Sequence, residues 1–155
     1  MKNVPLKQRW FEDYAVGEVF EFGDRPVTMN EIVTFATRYD PQPFHTDAVA
    51  AADSSFGGLV ASGWMTCAVL MREMCDHFVS PLSAMGSPGV DALRWLKPVR
   101  PGDRLHVRVT VVEVTASQSK PDRGVVSLLQ EVINQAGEIV MSLQGRALQR
   151  RRPLS

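Results

Sequence analysis

The sequence predicts a single α+β domain, and three observations carry that prediction. The segment Gly63 to Val79 places Trp64, Met65, Cys67, Val69, Leu70, Met74 and Phe78 around most of a helical circumference. A helix apolar nearly all round belongs inside a structure. Downstream the period changes to two: Leu105, Val107, Val109 and Val111 alternate with His106, Arg108 and Thr110, the mark of a half-buried strand. Two further extended stretches, Val125 to Ile133 and Ile139 to Leu148, meet at Asn134-Gln135-Ala136-Gly137. Three such strands form an antiparallel meander, and a sheet curled around the Gly63–Val79 helix is the layered arrangement they imply.

The remaining elements follow from local signals. Residues 1–15 read as a lead-in arm and Glu18 to Phe22 as a short strand. Thr28 is an N-cap with Glu31 three residues on, the capping-box spacing. Ile32, Val33, Phe35, Ala36 and Tyr39 then continue helically to the stop at Asp40-Pro41. A second short helix is expected over about Asp47 to Asp53, followed by a glycine-bearing loop, Ser54 to Ala61. Ser62 caps the long helix. Val90 to Leu96 is a strand, joined to the meander by the turn-rich Lys97–Asp103 link. The basic tail, residues 150–155, is expected to be solvated and frayed.

Composition narrows the function. The chain has 155 residues, one domain's worth, with 45% apolar and 22% charged residues. Lysine plus arginine and aspartate plus glutamate number 17 each, so no polyanionic partner is indicated and nucleic acid is not expected. Met1 to Tyr14 has no apolar run, so no signal peptide is expected, and no stretch reaches membrane-spanning length. Cys67 and Cys75 stand about 12 Å apart along one helix, too far to bridge, which suits a reducing cytoplasm. The two cysteines and three scattered histidines give no zinc spacing, Gly57-Gly58 lacks the Lys-Ser/Thr of a phosphate loop, and Ser62 lacks a Gly-x-Ser-x-Gly frame.

The chemistry concentrates in Asp40-Pro41-Gln42-Pro43-Phe44-His45. Two prolines keep this stretch non-helical and stiff, which holds a carboxylate and an imidazole where both can meet one small reactant. Asp40 reads equally as a plain helix stop. Against that reading, a carboxylate at a helix C-terminus faces the negative end of the dipole, which is expected to raise its pKa. His45 precedes a helix start, whose positive end favours neutral imidazole; a structural loop histidine is the alternative. His77 and His106 read as structural. At Ala61-Ser62-Gly63, a helix N-terminus offers unpaired backbone N–H groups beside a residue with no Cβ, so a ligand oxygen can approach. Such a tip can steady a developing oxyanion; equally, Ser62 is only a cap.

Together these stretches resemble the MaoC-like dehydratases, the (R)-specific enoyl-CoA hydratases of hot-dog fold. The family motif runs Asp, then x-Asn-Pro-apolar-His; here Gln42 stands in the Asn position. The match continues through Asp47, the alanines of Ala48 to Ala52, Phe56, Ser62-Gly63 and the Arg100-Pro101-Gly102-Asp103 turn. The resemblance implies an antiparallel sheet wrapped round a central helix, and a homodimer or higher homo-oligomer whose sheets join edge to edge. It implies reversible hydration of a 2-enoyl thioester, the reverse being dehydration of a 3-hydroxyacyl thioester, with coenzyme A or a carrier protein bearing the acyl group. Asp40 and His45 would hold the water and the Gly63 N–H would polarise the thioester carbonyl. Gln42, Ser62 and Trp64 are the candidate substrate contacts; Trp64, bulky at the helix entry, either shortens the acyl pocket or fills the core. No metal or redox cofactor is required. Arg94, Lys97, Arg104, Lys120 and Arg123 are candidates for phosphate contacts. The competing functions are a hot-dog thioesterase, which would not need His45, and a non-catalytic acyl-binding module.

Overall fold

The computed structural model describes residues 3–155; the first two residues of the predicted arm lie outside them. Five strands form one antiparallel sheet: β1 (Val19–Pro26), β2 (Val90–Trp95), β3 (Arg104–Ala116), β4 (Arg123–Ile133) and β5 (Ile139–Arg150), in the order β1-β3-β4-β5-β2. The consecutive trio β3-β4-β5 is the predicted meander. Four helices accompany it: α1 (Met29–Tyr39), α2 (Pro43–Thr46), α3 (Ala48–Ala52) and the long α4 (Gly63–His77). This is the α+β hot-dog architecture, a sheet wrapped about a central helix.

Alternation places the core. Leu105, Val107, Val109 and Val111 of β3 are buried and pack in one cluster with Met65, Val69, Leu70 and Met74 of α4. Each buried aliphatic side chain contributes about 1.5–3 kcal/mol. The strands run longer than their alternating stretches because bulges break the period. Phe22 pairs with Val107 and Arg25 with Leu105, so β1 carries an extra residue and continues to Pro26 instead of ending at Phe22. Gly23 there has φ +88°, and a Cβ on it would meet Glu73 Oε2 at 2.5 Å. In β3 the extra residue falls at the Val111-Val112 doublet, leaving Val112 exposed.

Helix α4 corrects one expectation. It buries Met65, Thr66, Val69, Leu70, Glu73 and Met74, whereas Trp64, Ala68, Met71 and Cys75 form an open stripe along the opposite face. The sheet covers only one side of the helix. The arm is more than a lead-in: Phe11 and Tyr14 join the core, and Phe11 occupies the space a Cβ on Gly124 would need. Nor is the basic tail frayed throughout. Arg152 pairs with Asp13 at 2.7 Å, and the Arg151 N–H donates to Asp122 O at 2.8 Å. Both cysteines are free. Among the described residues no helix is long and apolar enough to cross a membrane.

Candidate active site

The Asp40–His45 stretch is built differently from the stiff loop the prolines suggest. Thr28 caps α1 by accepting from the Glu31 N–H at 3.1 Å, and the helix ends at Asp40, whose N–H still donates to Ala36 O. The chain then re-enters a helix at once: α2 spans Pro43–Thr46 with Pro43 in its first turn. Proline is tolerated there because the first N–H groups of a helix have no intrahelical acceptor. His45 therefore sits inside α2, two residues before the Asp47 cap of the expected short helix α3. The next helix tip, that of α3, is taken by Asp47, which accepts from Val49 and Ala50.

These elements bring Asp40 and His45 together. His45 Nε2 lies 3.3 Å from Asp40 Oδ2, with the imidazole nearly buried. His45 Nδ1 lies 2.6 Å from Val60 O, and a carbonyl only accepts, so Nδ1 carries the proton. Nε2 then presents a lone pair to a carboxylate oxygen. Two acceptors at that distance repel, so a donor completes the pair: a proton on Nε2, or the O–H groups of one small molecule. Val60 is held in turn, its N–H donating to Phe44 O at 3.1 Å.

Asp40 is the more heavily engaged partner. The Gln42 side-chain amide donates to Oδ1 at 2.6 Å, and the Ser62 hydroxyl donates to Oδ2 at 2.7 Å. These bonds, that of Gln42 foremost and then that of Ser62, hold the Asp40 carboxyl below its usual range, with the charge of a protonated His45 adding to the effect. The expected rise from the helix dipole is thus reversed: hydrogen bonds to the charged form outweigh a partial charge at a helix end. Gln42 and Ser62, expected to meet substrate, both direct their donors at Asp40.

Ser62 also accepts from the Trp64 N–H at 3.3 Å, capping α4. Among the described residues no backbone carbonyl accepts from the Gly63 N–H, which stands at the helix tip beside a cavity of about 400 Å³. Phe44, His45, Thr66, Trp95, Lys97 and Val140 contribute to its wall. Asp40 is not among the residues of the wall but touches His45, which is. Trp64 also lies outside the wall, 57% exposed, with its ring edge-on to Trp95 at 5.1 Å. Trp95 takes the place expected of Trp64: a Cβ on Gly63 would fall 2.3 Å from its indole.

Of the candidate phosphate contacts, Lys97 alone lines the cavity, and it pairs with Glu138. Arg104 is held by Asp24 at 2.8 Å and Arg123 by Asp122 at 2.9 Å. Arg94 donates to the Leu93 carbonyl. The sequence reading missed Val60 and Trp95. Val60 acts through a backbone carbonyl, which no side-chain identity announces. Trp95 turns inward only because of a bulge in β2.

Comparison with known proteins bears on the family and the fold. The family model described as "MaoC like domain" matches residues 12–133. A crystal structure of the MaoC-like dehydratase from Rhodospirillum rubrum superposes with a TM-score of 0.87 at 42% identity, covering 94% of this chain and 99% of that one. The R-hydratase PhaJ1 from Pseudomonas aeruginosa, in its unliganded form, has a TM-score of 0.75 over 94% of this chain and 91% of its own, and at 24% identity it speaks for the fold. A mesaconyl-CoA hydratase from Cereibacter sphaeroides is 30% identical over 86% of this chain; the chain spans 39% of that protein. Relatives of this chain thus include hydratases. From the sequence match and the shared architecture together, the chain belongs to the MaoC-like domain family.

Proposed function

We propose that the protein is a hydro-lyase that adds water reversibly across a 2-enoyl thioester, with coenzyme A or a carrier protein bearing the acyl group. The observation that carries this reading is the Nε2–Oδ2 approach of 3.3 Å with Nδ1 committed to Val60. It leaves one imidazole lone pair and one carboxylate oxygen facing the same donor, beside a cavity that ends at a free helix tip.

Water bound there donates one O–H to His45 Nε2 and the other to Asp40 Oδ2. Conjugation with the thioester carbonyl makes the β-carbon of the acyl group electrophilic. As the water oxygen bonds to that carbon, its proton passes to Nε2 and the carbonyl becomes an enolate, whose oxygen accepts from the Gly63 N–H. Asp40, held ionised by Gln42 and Ser62, stabilises the imidazolium. The Nε2 proton then passes to the α-carbon and the carbonyl re-forms. His45 is the base because it lines the cavity and no donor of the chain engages its Nε2 lone pair, whereas both Asp40 oxygens already accept hydrogen bonds. General acid–base work of this kind contributes about 10²–10⁴-fold. The reaction draws only on side chains and backbone of the chain.

One group delivering both hydroxyl and proton from one face makes the addition syn. Crotonyl-CoA turned over in D₂O tests this: the enoyl absorbance falls without release of free thiol, and deuterium appears at the α-carbon syn to the new hydroxyl. Thiol release with the enoyl group intact would point to a thioesterase. Binding without turnover of any thioester would point to an acyl-binding module.

The assembly we propose is a homodimer formed along β2. That strand ends the sheet, and Val90, Trp95 and Leu96 are each about half exposed, as are Trp64 and Met71 of α4, with Trp64 against Trp95. An open apolar edge strand invites pairing with its own copy. Sedimentation equilibrium is expected to give twice the 17.2 kDa chain mass.

A further inference from the structure

The phase of β2 sets what stands over the helix tip. Asp91 pairs with Gln144 and Arg94 with Ser142, so three steps along β2 match two along β5. One extra residue is accommodated, and Ala92 takes φ +52°, the one positive φ outside glycine among the described residues. Asp91 lies on the outer face, where it meets Arg146. Unbroken alternation would put Trp95 on that same face, since side chains two and four residues apart share a side. The bulge inverts the phase. Trp95 instead stands opposite Met141, which is fully buried and meets Cys67 of α4 through its sulfur.

The indole, on the inner side of the sheet yet 47% exposed at its open edge, is fixed from two sides. It packs on Gly63, where any Cβ would collide with it, and Trp64 braces it edge-on. Both the glycine and the bulge are demanded by one large side chain, and that side chain walls the cavity next to the residue whose N–H is free.

We propose that Trp95 is the specificity-determining residue of the site, its indole walling the cavity beside Gly63 so that short 2-enoyl groups are favoured over long ones. The proposal rests on the acyl-thioester reading of the site. A chain that could extend into an open apolar channel would gain about fourfold in affinity per buried methylene. A wall at Trp95 removes that gain after the first few carbons.

The test is the ratio of affinities for butyryl-CoA and octanoyl-CoA, saturated probes that cannot be hydrated, measured by calorimetry on the wild type, Trp95→Ala and Trp95→Leu. The wild type is expected to bind octanoyl-CoA no more tightly than butyryl-CoA. Both variants are expected to shift the ratio at least tenfold toward octanoyl-CoA; Trp95→Leu keeps an apolar contact on Gly63 should the alanine variant fold poorly. A ratio unchanged in a folded variant would overturn the proposal and leave Trp95 as core filler. So would tight octanoyl-CoA binding by the wild type, or no acyl-CoA binding at all. Because the probes do not react, a protein that fails to hydrate crotonyl-CoA but shows the shifted ratio refutes the hydratase reading while supporting the wall.

Discussion

Ser62 Oγ lies 2.7 Å from Asp40 Oδ2 while the same oxygen caps α4 by accepting the Trp64 N–H. One hydroxyl therefore ties the acid of the pair to the helix tip that carries the Gly63 N–H. The two halves of the site sit 22 residues apart in sequence, and this bond joins them.

Ser62→Ala is accordingly expected to act twice. Loss of the cap costs about 1 kcal/mol of stability, readable in a urea titration. Loss of the donor to Asp40 loosens the dyad, and kcat/KM for an enoyl thioester is expected to fall on the order of ten- to a hundredfold in protein that is still folded. A variant with the stability loss and wild-type kinetics would reduce Ser62 to a cap.

Gln42 supplies the first of the bonds that lower the Asp40 pKa. A carboxylate whose folded pKa is depressed contributes stability that is present above its unfolded pKa and lost as pH falls through its folded pKa. Gln42→Ala raises the folded pKa toward the ordinary carboxylate range. It is expected to lower stability at neutral pH by no more than about 1 kcal/mol, since the bond is exposed. The difference from wild type should close as the pH drops through the acid range. A difference independent of pH would place the effect of Gln42 elsewhere, for instance at the entry to α2.

Much of this was legible in the chain. Thr28, Ser62 and the β3 alternation act through side chains whose local preferences agree with the fold, so caps, helix and meander could be read directly. Other features could not be. Proline excludes the helix interior but not its first turn, so Pro43 opens α2 where a loop was expected. Bulges add one residue to a strand without a composition signal, which hid the length of β1 and the direction of Trp95. The destination of Ser62 depends on two segments meeting, a tertiary fact, and that of Gln42 on how the chain bends between Asp40 and Pro43. The Asp40 pKa went the other way because two side-chain donors, Gln42 two residues on and Ser62 from the α4 tip, outweigh the local dipole.

Tyr14 offers a test of the core independent of the site. Its hydroxyl is buried without a hydrogen-bond partner among the described residues, and burial pushes its pKa up to about 12, with the Arg9 cation opposing. Leaving a buried polar group unpaired costs about 1–3 kcal/mol. Tyr14→Phe is therefore expected to stabilise the protein by about 1 kcal/mol in denaturant unfolding. Destabilisation by a similar amount would mean that the hydroxyl is paired in solution.

The central claim is that Asp40 and His45 act as one unit on one water, and a double-mutant cycle in crotonyl-CoA hydration tests it most directly. His45→Ala and Asp40→Asn are each expected to lower kcat/KM by about 10²–10⁴-fold, and the double variant by little more than the worse of the two, since groups that act together are non-additive. Full activity in His45→Ala, or losses that simply multiply in the double variant, would contradict the account.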